Sequence, residues 1–433
     1  DRTKTTQFTD AWIVLAVFLT AAGLIFRRPA LVLIPALLLT IVPIAWLWNH
    51  FALHGIRYSR RFSERRAFVG ETITISIRLT NRKPVPVGWL QISDEFPEEL
   101  PLLGEELSPS HKPRVVTLDS LHSLRWYEEV ERAHELCCAH RGYYSFGPVS
   151  LKAGDMFGLF ENHSRLEQID SLIIYPAVLP LEELGLPPKD PLGEIAFRRR
   201  IFVDPARTIG VRDQQPGDDM RRIHWKASAR RQSLQSRIYE PTTAHNLVVF
   251  LNVANFERFW HGYDPVLLEK TITLAASVAS YAAERRYAVG LVANGCLPGS
   301  DQPIRVRPGR SPGQLTRVLE MLAAVRPIAS APLESLLMSA SADLPWGSTL
   351  VVVTGLVTED IAGAIQRLRA AGRNMVLISL QEKPLPPMEG VLVYHLPGMR
   401  GAKDDAGEMA VGLSAPADQS AYRAPREVQE QRS

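Results

Sequence analysis

Leu247-Val248-Val249-Phe250-Leu251-Asn252-Val253 is a run of seven residues in which only Asn252 is polar. It is too short to cross a membrane as a helix, and it lacks the period-two alternation of a strand with one wet face. A segment that apolar reads as a strand covered on both sides, which belongs in the middle of a parallel sheet. Runs of the same kind recur at 288–293, 349–354 and 375–380. Between them, 265–286, 312–325, 332–341 and 358–371 have helical periodicity, and several open on a proline, whose missing N–H is no loss in a first turn. Buried strands alternating with amphipathic helices specify an α/β domain with right-handed crossovers, here over 246–398. From Met399 the chain turns to Ala, Gly, Asp and Gln with few large apolar residues, so 399–433 is expected to be a disordered tail.

Upstream, a different period rules. Thr72-Ile73-Thr74-Ile75-Ser76-Ile77-Arg78-Leu79 alternates polar and apolar, and turn clusters such as 81–86 interrupt the alternation. Further short strands at 89–92, 115–118, 128–135 and 172–175, with no helix between them, point to an all-β sandwich over 58–185. The Pro-, Gly- and acid-rich stretch 181–191 marks a linker, and 186–245 as a whole reads as a linker segment that carries the motif below.

Two apolar segments precede the sandwich, 11–26 and 30–48. A spanning helix needs about 20 apolar residues to cross about 30 Å of hydrocarbon. The second segment meets this, and Trp46 and Trp48 supply an aromatic belt; the first is shorter but tolerable if it ends at the interface. Arg27-Arg28-Pro29 leaves room only for a tight turn, so 1–57 is predicted to form a transmembrane helical hairpin with both ends on one side. Pro35 and Pro43 are tolerated if the second helix packs against a neighbour. Arg2, Lys4, Arg57, Arg60, Arg61, Arg65 and Arg66 outweigh Arg27 and Arg28, which puts the soluble domains on the cytoplasmic side of the inner (plasma) membrane. A signal peptide would need a small-residue cleavage site where the paired arginines stand. The chain begins at Asp1 rather than methionine, which leaves its extreme N-terminus open.

Composition narrows the function. With 433 residues, 46% hydrophobic and 22% charged, the body is globular and too long for one ordinary domain. A net charge of +3 argues against coating nucleic acid through an overall field, so any basic function is local. The three cysteines are Cys137, Cys138 and Cys296; neighbours in a strand point to opposite faces, so neither a disulfide framework nor a zinc site is expected.

The densest cluster of functional side-chain types is Gln215-Pro216-Gly217-Asp218-Asp219-Met220-Arg221-Arg222-Ile223-His224-Trp225-Lys226-Ala227-Ser228-Ala229-Arg230. Pro216-Gly217 demands a turn, after which Asp218 or Asp219 would cap a short helix running to about Arg231. On such a helix Asp218, Arg222 and Lys226 follow at four-residue spacing on one face, while Ile223, Ala227 and Arg230 turn elsewhere. The candidate residues are Pro216, Gly217, Asp218, Asp219, Arg221, Arg222, His224, Trp225, Lys226 and Arg230. In the plainest account the Asp and Arg side chains pair and pin the segment against the sandwich. Alternatively, the basic run 198–237, with Trp225, His224 and Tyr239, is an interaction surface, since Arg and Trp anchor interfaces; acidic lipid and RNA compete as partners with protein. A third account builds a metal-dependent hydrolase or nuclease on Asp218, Asp219 and His224, with Lys226 steadying charge. No Gly-rich phosphate cradle or nucleophile elbow accompanies them, so no catalytic residue or cofactor is assigned. Gly154-Asp155-Met156-Phe157-Gly158-Leu159-Phe160 reads as a turn with Phe157 and Phe160 buried.

The 216–230 motif, together with Arg141-Gly142-Tyr143, Gly147-Pro148 and the 154–160 run, resembles the membrane-anchored proteins of domain of unknown function 58, which often accompany MoxR-type AAA+ ATPases. The sequence departs from that pattern at Arg212-Asp213-Gln214, where Arg-Glu-Tyr is more typical. The resemblance implies a von Willebrand factor A-like fold for 246–398 and a MoxR-type ATPase as partner. Such folds can bind a divalent ion through Asp-x-Ser-x-Ser after the first strand; here that stretch is Asn252-Val253-Ala254-Asn255-Phe256, and Thr354-Gly355 stands where a later acid is expected. A hard cation wants several oxygen ligands, preferably anionic. Asn252, Ala254, Phe256 and Thr354 are therefore a degenerate ion site, and no metal is expected there. The function that follows is a non-enzymatic, membrane-anchored adaptor.

Overall fold

The structure is a computed structural model that describes residues 2–6, 11–26, 29–155, 159–187, 202–215, 218–242, 246–256, 264–385 and 387–397. The Arg27-Arg28 turn, Phe157, Pro216, Gly217 and the tail from 399 lie outside the described residues. After a short strand, β1 (Arg2–Thr6), come two apolar helices, α1 (Ala11–Ile25) and α2 (Pro29–Ala52), which pack against each other. At 1.5 Å per residue α1 is about 22 Å long and α2 about 36 Å. The window Pro35–Ala52 of α2 is long and apolar enough to cross a membrane. Its Leu33, Leu37, Ile44 and Leu47 side chains face outward.

The β-rich region follows as β2 (Ile56–Phe62), β3 (Arg66–Phe68), β4 (Thr72–Asn81), β5 (Val87–Pro97), β6 (Leu102–Leu103), β7 (Ser108–Pro109), β8 (Val115–Leu124), β9 (Glu129–Cys137), β10 (Gly142–Phe146), β11 (Val149–Gly154), β12 (Phe160–Leu166) and β13 (Asp170–Tyr175). They form sheets in the orders β2-β4-β9-β6, β1-β12-β11-β5-β8-β7 and β10-β13-β3. The alternation of β4 is what one dry face requires: Ile73, Ile75, Ile77 and Leu79 are buried, against Leu90, Ile92 and Leu151 from the facing sheet.

One polar group penetrates this core. Arg60 of β2 has a fully buried side chain, and its guanidinium meets Asp94 of β5 at 2.6 Å and Asp170 of β13 at 3.1 Å. It also donates to the Phe146 carbonyl at 2.8 Å, and the Tyr58 hydroxyl donates to Asp94. The rings of Phe62, Phe96 and Phe146 surround it at 5.6–5.9 Å. Gly147, one residue on, has φ +95°, and a Cβ there would lie 2.1 Å from the Gln168 carbonyl, so only glycine fits. In the second upstream motif Gly154 lies against Trp89 and the Phe160 carbonyl, while the buried Asp155 carboxylate accepts the Phe160 N–H at 2.7 Å. Phe160 is buried, as expected.

Beyond the sandwich, β14 (Phe202–Asp213), α3 (Trp225–Arg231) and β15 (Gln235–Thr242) precede the α/β domain. That domain runs β16 (Asn246–Leu251), α4 (Pro265–Glu284), β17 (Ala288–Cys296), β18 (Pro303–Gly309), α5 (Gln314–Ala324), α6 (Leu333–Asp343), β19 (Thr349–Thr354), α7 (Glu359–Ala370), β20 (Asn374–Ser379) and β21 (Leu392–His395). Its sheet order is β18-β17-β16-β19-β20-β21, with β18 antiparallel to β17 and the other pairs parallel. Leu247, Val249 and Leu251 face a core that includes Ile272 of α4 and Leu322 of α5; Val248 and Phe250 face Leu336 of α6 and Ile365 of α7. Covering on both faces is why that strand is apolar throughout. The α4 helix also has the length and apolarity of a spanning segment, but it is the packed core helix of this domain.

The start of the stretch expected as a linker is not solvated. Leu181, Leu184 and Leu186 join the core of the α/β domain, and the Leu179 N–H donates to Ser277 Oγ at 3.0 Å. Arg141, from the first upstream motif, pairs with Glu269 of α4 at 3.1 Å and donates to the Val325 carbonyl. Arg66 pairs with Glu320 of α5 at 2.9 Å.

Candidate functional site

β14 and β15 pair antiparallel from Phe202 opposite Thr242 to Asp213 opposite Gln235, with two register shifts, so residues expected to be linker form a two-stranded ribbon. The 215–230 motif makes up most of the connection at its tip. Asp218 closes the first turn: one carboxylate oxygen accepts the Gln215 N–H at 3.0 Å, and the other takes Arg212 at 2.6 Å. The Gln215 N–H, then the Arg212 guanidinium, hold its carboxyl below the usual carboxylate range. The Asp–Arg pairing envisaged from sequence thus exists, but it ties the tip to its own ribbon.

The single helix capped by Asp218 or Asp219 is replaced by two short pieces. Met220–Arg222 is a 3-10 turn in which the Arg222 N–H donates to the Asp219 carbonyl at 2.9 Å. Ile223 then buries its side chain, and its backbone bridges to Ser236. That bridge needs extended geometry, so the helix cannot run through it. α3 begins afresh, and its N-cap is His224, whose Nδ1 accepts the Ala227 N–H at 3.1 Å. It ends at Arg231, with Gln232 left-handed at φ 53°. Arg222 and Lys226 therefore belong to different pieces and share no helical face. Arg221 lies in the 3-10 turn and Arg230 in the last turn of α3.

Gln235, fully buried and not singled out from sequence, holds the tip together. Its amide donates to Asp213 and to Ser233 Oγ, and its side-chain oxygen accepts from Arg231. Its backbone N–H donates to Ser228 Oγ at 2.9 Å, and its carbonyl accepts the His224 N–H at 2.8 Å. With these polar groups turned inward, the tip presents large apolar ones: Met220 is 63% and Trp225 65% exposed. Leu234, Arg222, Lys226, Arg230 and Arg231 are exposed around them. Trp and Arg are the residue types that most often anchor protein interfaces.

Both Asp218 oxygens and His224 Nδ1 are engaged in backbone capping and ion pairing. Among the described residues no group of three or more His, Cys, Asp or Glu could hold a metal ion. At the C-terminal ends of β16, β17 and β19 the degenerate ion site is a closed neutral network. Asn252 donates to Thr354 Oγ1 at 2.9 Å, and its oxygen accepts from Asn294 at 2.8 Å and from the Ala254 N–H at 3.1 Å. Asn294 in turn accepts the Val253 N–H at 2.8 Å. Phe256 is partly exposed beside it. Asn294 carries no local sequence signal; it is an asparagine at the end of an apolar strand.

Fold and site together define a β-rich, multidomain protein with a largely parallel α/β sheet and a ribbon that presents a basic, aromatic tip. Residues 210–395, which begin in that ribbon and take in the α/β domain, match the family model described as "Protein of unknown function DUF58". The "Uncharacterized protein YeaD" of Bacillus subtilis (strain 168) is 24% identical over 254 residues, 57% of this chain and 57% of that protein's length. Both matches support the resemblance carried by the motifs. Among solved structures, the alkylpurine DNA glycosylase AlkC of Pseudomonas fluorescens aligns over 28% of this chain and 30% of that one, at 12% identity and TM-score 0.20. A cohesin module from Clostridium perfringens aligns over 27% of this chain and 96% of that one, at 13% identity and TM-score 0.19. At such scores neither carries an argument.

Proposed function

We propose that this chain is a non-enzymatic, membrane-anchored adaptor of the DUF58 family that docks a MoxR-type AAA+ ATPase through the tip of its ribbon. In this reading α1 and α2 span the inner membrane as a hairpin, and the remaining domains lie in the cytoplasm. The α/β domain is von Willebrand factor A-like, with the ion site replaced by the Asn252–Asn294–Thr354 network. The observation that carries the proposal is the tip itself. Met220 and Trp225 stand exposed on a scaffold whose polar groups are consumed by Gln235, Asp218 and His224, flanked by Arg222 and Lys226. Buried at an interface, a Trp with neighbouring Arg residues typically contributes about 2 kcal/mol or more each.

The test is a detergent pull-down of the tagged full chain from cells that contain such an ATPase, with Trp225→Ala and Arg222→Glu alongside. Wild type is expected to recover the ATPase and the variants to lose most of it. Failure of wild type to recover any AAA+ ATPase overturns the proposal.

A further inference from the structure

The connection between β8 and β9 is a tight turn, with the Glu128 N–H directed at the Arg125 carbonyl at 3.4 Å. Its two central residues are Trp126 and Tyr127, which are 66% and 67% exposed. Central turn positions ordinarily go to small or polar residues, and a left-handed one to Gly, Asn or Asp. Here two aromatic rings occupy them, and Tyr127 sits at φ 51°. A bulky side chain held in that conformation and two-thirds exposed carries strain with little internal packing reward, and such outliers point to function.

The surroundings of the turn say what it faces. The Tyr127 N–H donates to the Lys83 carbonyl at 3.3 Å. Lys83, with a mostly buried side chain, directs its ammonium onto the Phe51 and Ala52 carbonyls that end α2. Asn81 donates to the Arg125 carbonyl at 2.7 Å, and the Arg82 N–H donates to the Gly55 carbonyl at 2.9 Å. The aromatic turn is thus lashed to the point where the apolar helix leaves its span, one lysine side chain from the last carbonyls of α2. Phe51, Arg57, Arg82 and Arg125 are exposed around the same exit. The Glu128 carboxylate nearby is occupied by the Arg125 N–H at 2.6 Å.

We infer that Trp126 and Tyr127 form a second membrane contact, seated in the headgroup layer of an anionic leaflet beside the exit of α2. Amphipathic rings of this kind collect at the membrane–water interface, and arginines next to them are drawn to anionic headgroups. The occupant is a lipid surface rather than a protein because the patch is continuous with the apolar helix. It rests on the reading of α2 as a membrane span, and it adds that the sandwich is held flush against the bilayer rather than swinging on a tether.

The full chain carrying Cys137→Ser, to remove the partly exposed thiol, is given a nitroxide label at Trp126→Cys, Leu37→Cys or Trp346→Cys. It is reconstituted in vesicles of phosphatidylcholine with a minority of phosphatidylglycerol. Collisional access to lipid-soluble oxygen and to a water-soluble nickel chelate is compared at each site. The expected result is loss of nickel access at position 37 and reduced access at 126, with full access retained at 346 on the α/β domain. Lipid contact at 37 with nickel access at 126 equal to that at 346 overturns this inference and leaves the anchor standing. Full nickel access at 37 overturns the anchor and this inference with it. Arg82→Glu with Arg125→Glu is expected to restore nickel access at 126 while 37 stays protected; no change at 126 would remove the anionic-lipid part of the inference.

Discussion

Arg60→Met is the perturbation that most directly tests how the sandwich is held together. The guanidinium it removes is fully buried, contacts Asp94 at 2.6 Å and Asp170 at 3.1 Å, and donates to the Phe146 carbonyl. Methionine matches much of the volume among Phe62, Phe96 and Phe146, so the loss is chiefly electrostatic. The Asp94 side chain, only 1% exposed, is left without its counter-ion. Breaking a buried pair from one side costs about 3–5 kcal/mol, or roughly two to three and a half decades in the local opening equilibrium. Hydrogen exchange of β4 and β5 amides in the detergent-solubilised full chain reads this without requiring two-state unfolding of the whole molecule. The variant also carries a pH signature. Burial pushes the Asp94 carboxyl up, and Arg60 is the main group that draws it down. Without Arg60 its folded pKa rises further above the unfolded one, so stability is regained as pH falls through the folded value, and the deficit should shrink on acidification rather than grow. Replacing the fully buried members, as Tyr58→Phe with Arg60→Met and Asp94→Leu, should restore most of the protection, since an apolar substitute for a buried ion pair is often neutral and the partly exposed Asp170 keeps the Gln168 amide at 3.0 Å. A loss below about 1 kcal/mol for the single variant, the scale of a surface pair, would refute the reasoning. So would a triple variant no better than the single one.

Other consequences are narrower. Gln235→Ala removes the side-chain ties to Asp213, Ser233 and Arg231, and exchange of the Ala227 and Ser228 amides should quicken by about 1–3 kcal/mol worth of protection while the α/β sheet is unaffected. Gly147→Ala places a methyl 2.1 Å from the Gln168 carbonyl in left-handed backbone, and thermal unfolding should report more than about 2 kcal/mol of destabilisation. Alkylation by iodoacetamide at pH 8, read by mass spectrometry, should modify half-buried Cys137 and spare Cys138, whose thiol burial pushes up to about 12.

Wherever a residue's environment is set by its near neighbours, the sequence was readable. The apolar run at 247–253 announced a strand with two dry faces, and β19 has the bounds its composition predicts, Thr349–Thr354. The alternation of β4 appears in its burial. Edge strands were harder. β18 buries Ile304 and Val306 but exposes Arg305 and Arg307, a pattern too short and polar to stand out. The β14–β15 ribbon was invisible because a two-stranded ribbon has little dry face to impose a period, and 181–186 reads as linker because nothing local says that three leucines will meet another domain.

At the candidate site, sequence determined the residue types and the tertiary structure determined their partners. The motif announced a turn, a short helix ending near Arg231 and exposed basic and aromatic groups. Pairing of Ile223 with Ser236 across the ribbon interrupted that helix, passed its cap to His224 and made Gln235 the organising residue. Those contacts join residues separated along the chain, so no local pattern encodes them. Arg60 shows the same limit. By composition it is one more cation flanking an apolar helix; in the fold it is buried and paired with Asp94 and Asp170, 34 and 110 residues away, whereas Arg57, Arg61, Arg65 and Arg66 on the same flank are exposed. Charge and apolarity are properties of a residue and can be read in order, whereas desolvation and pairing depend on which distant segments the fold brings around it.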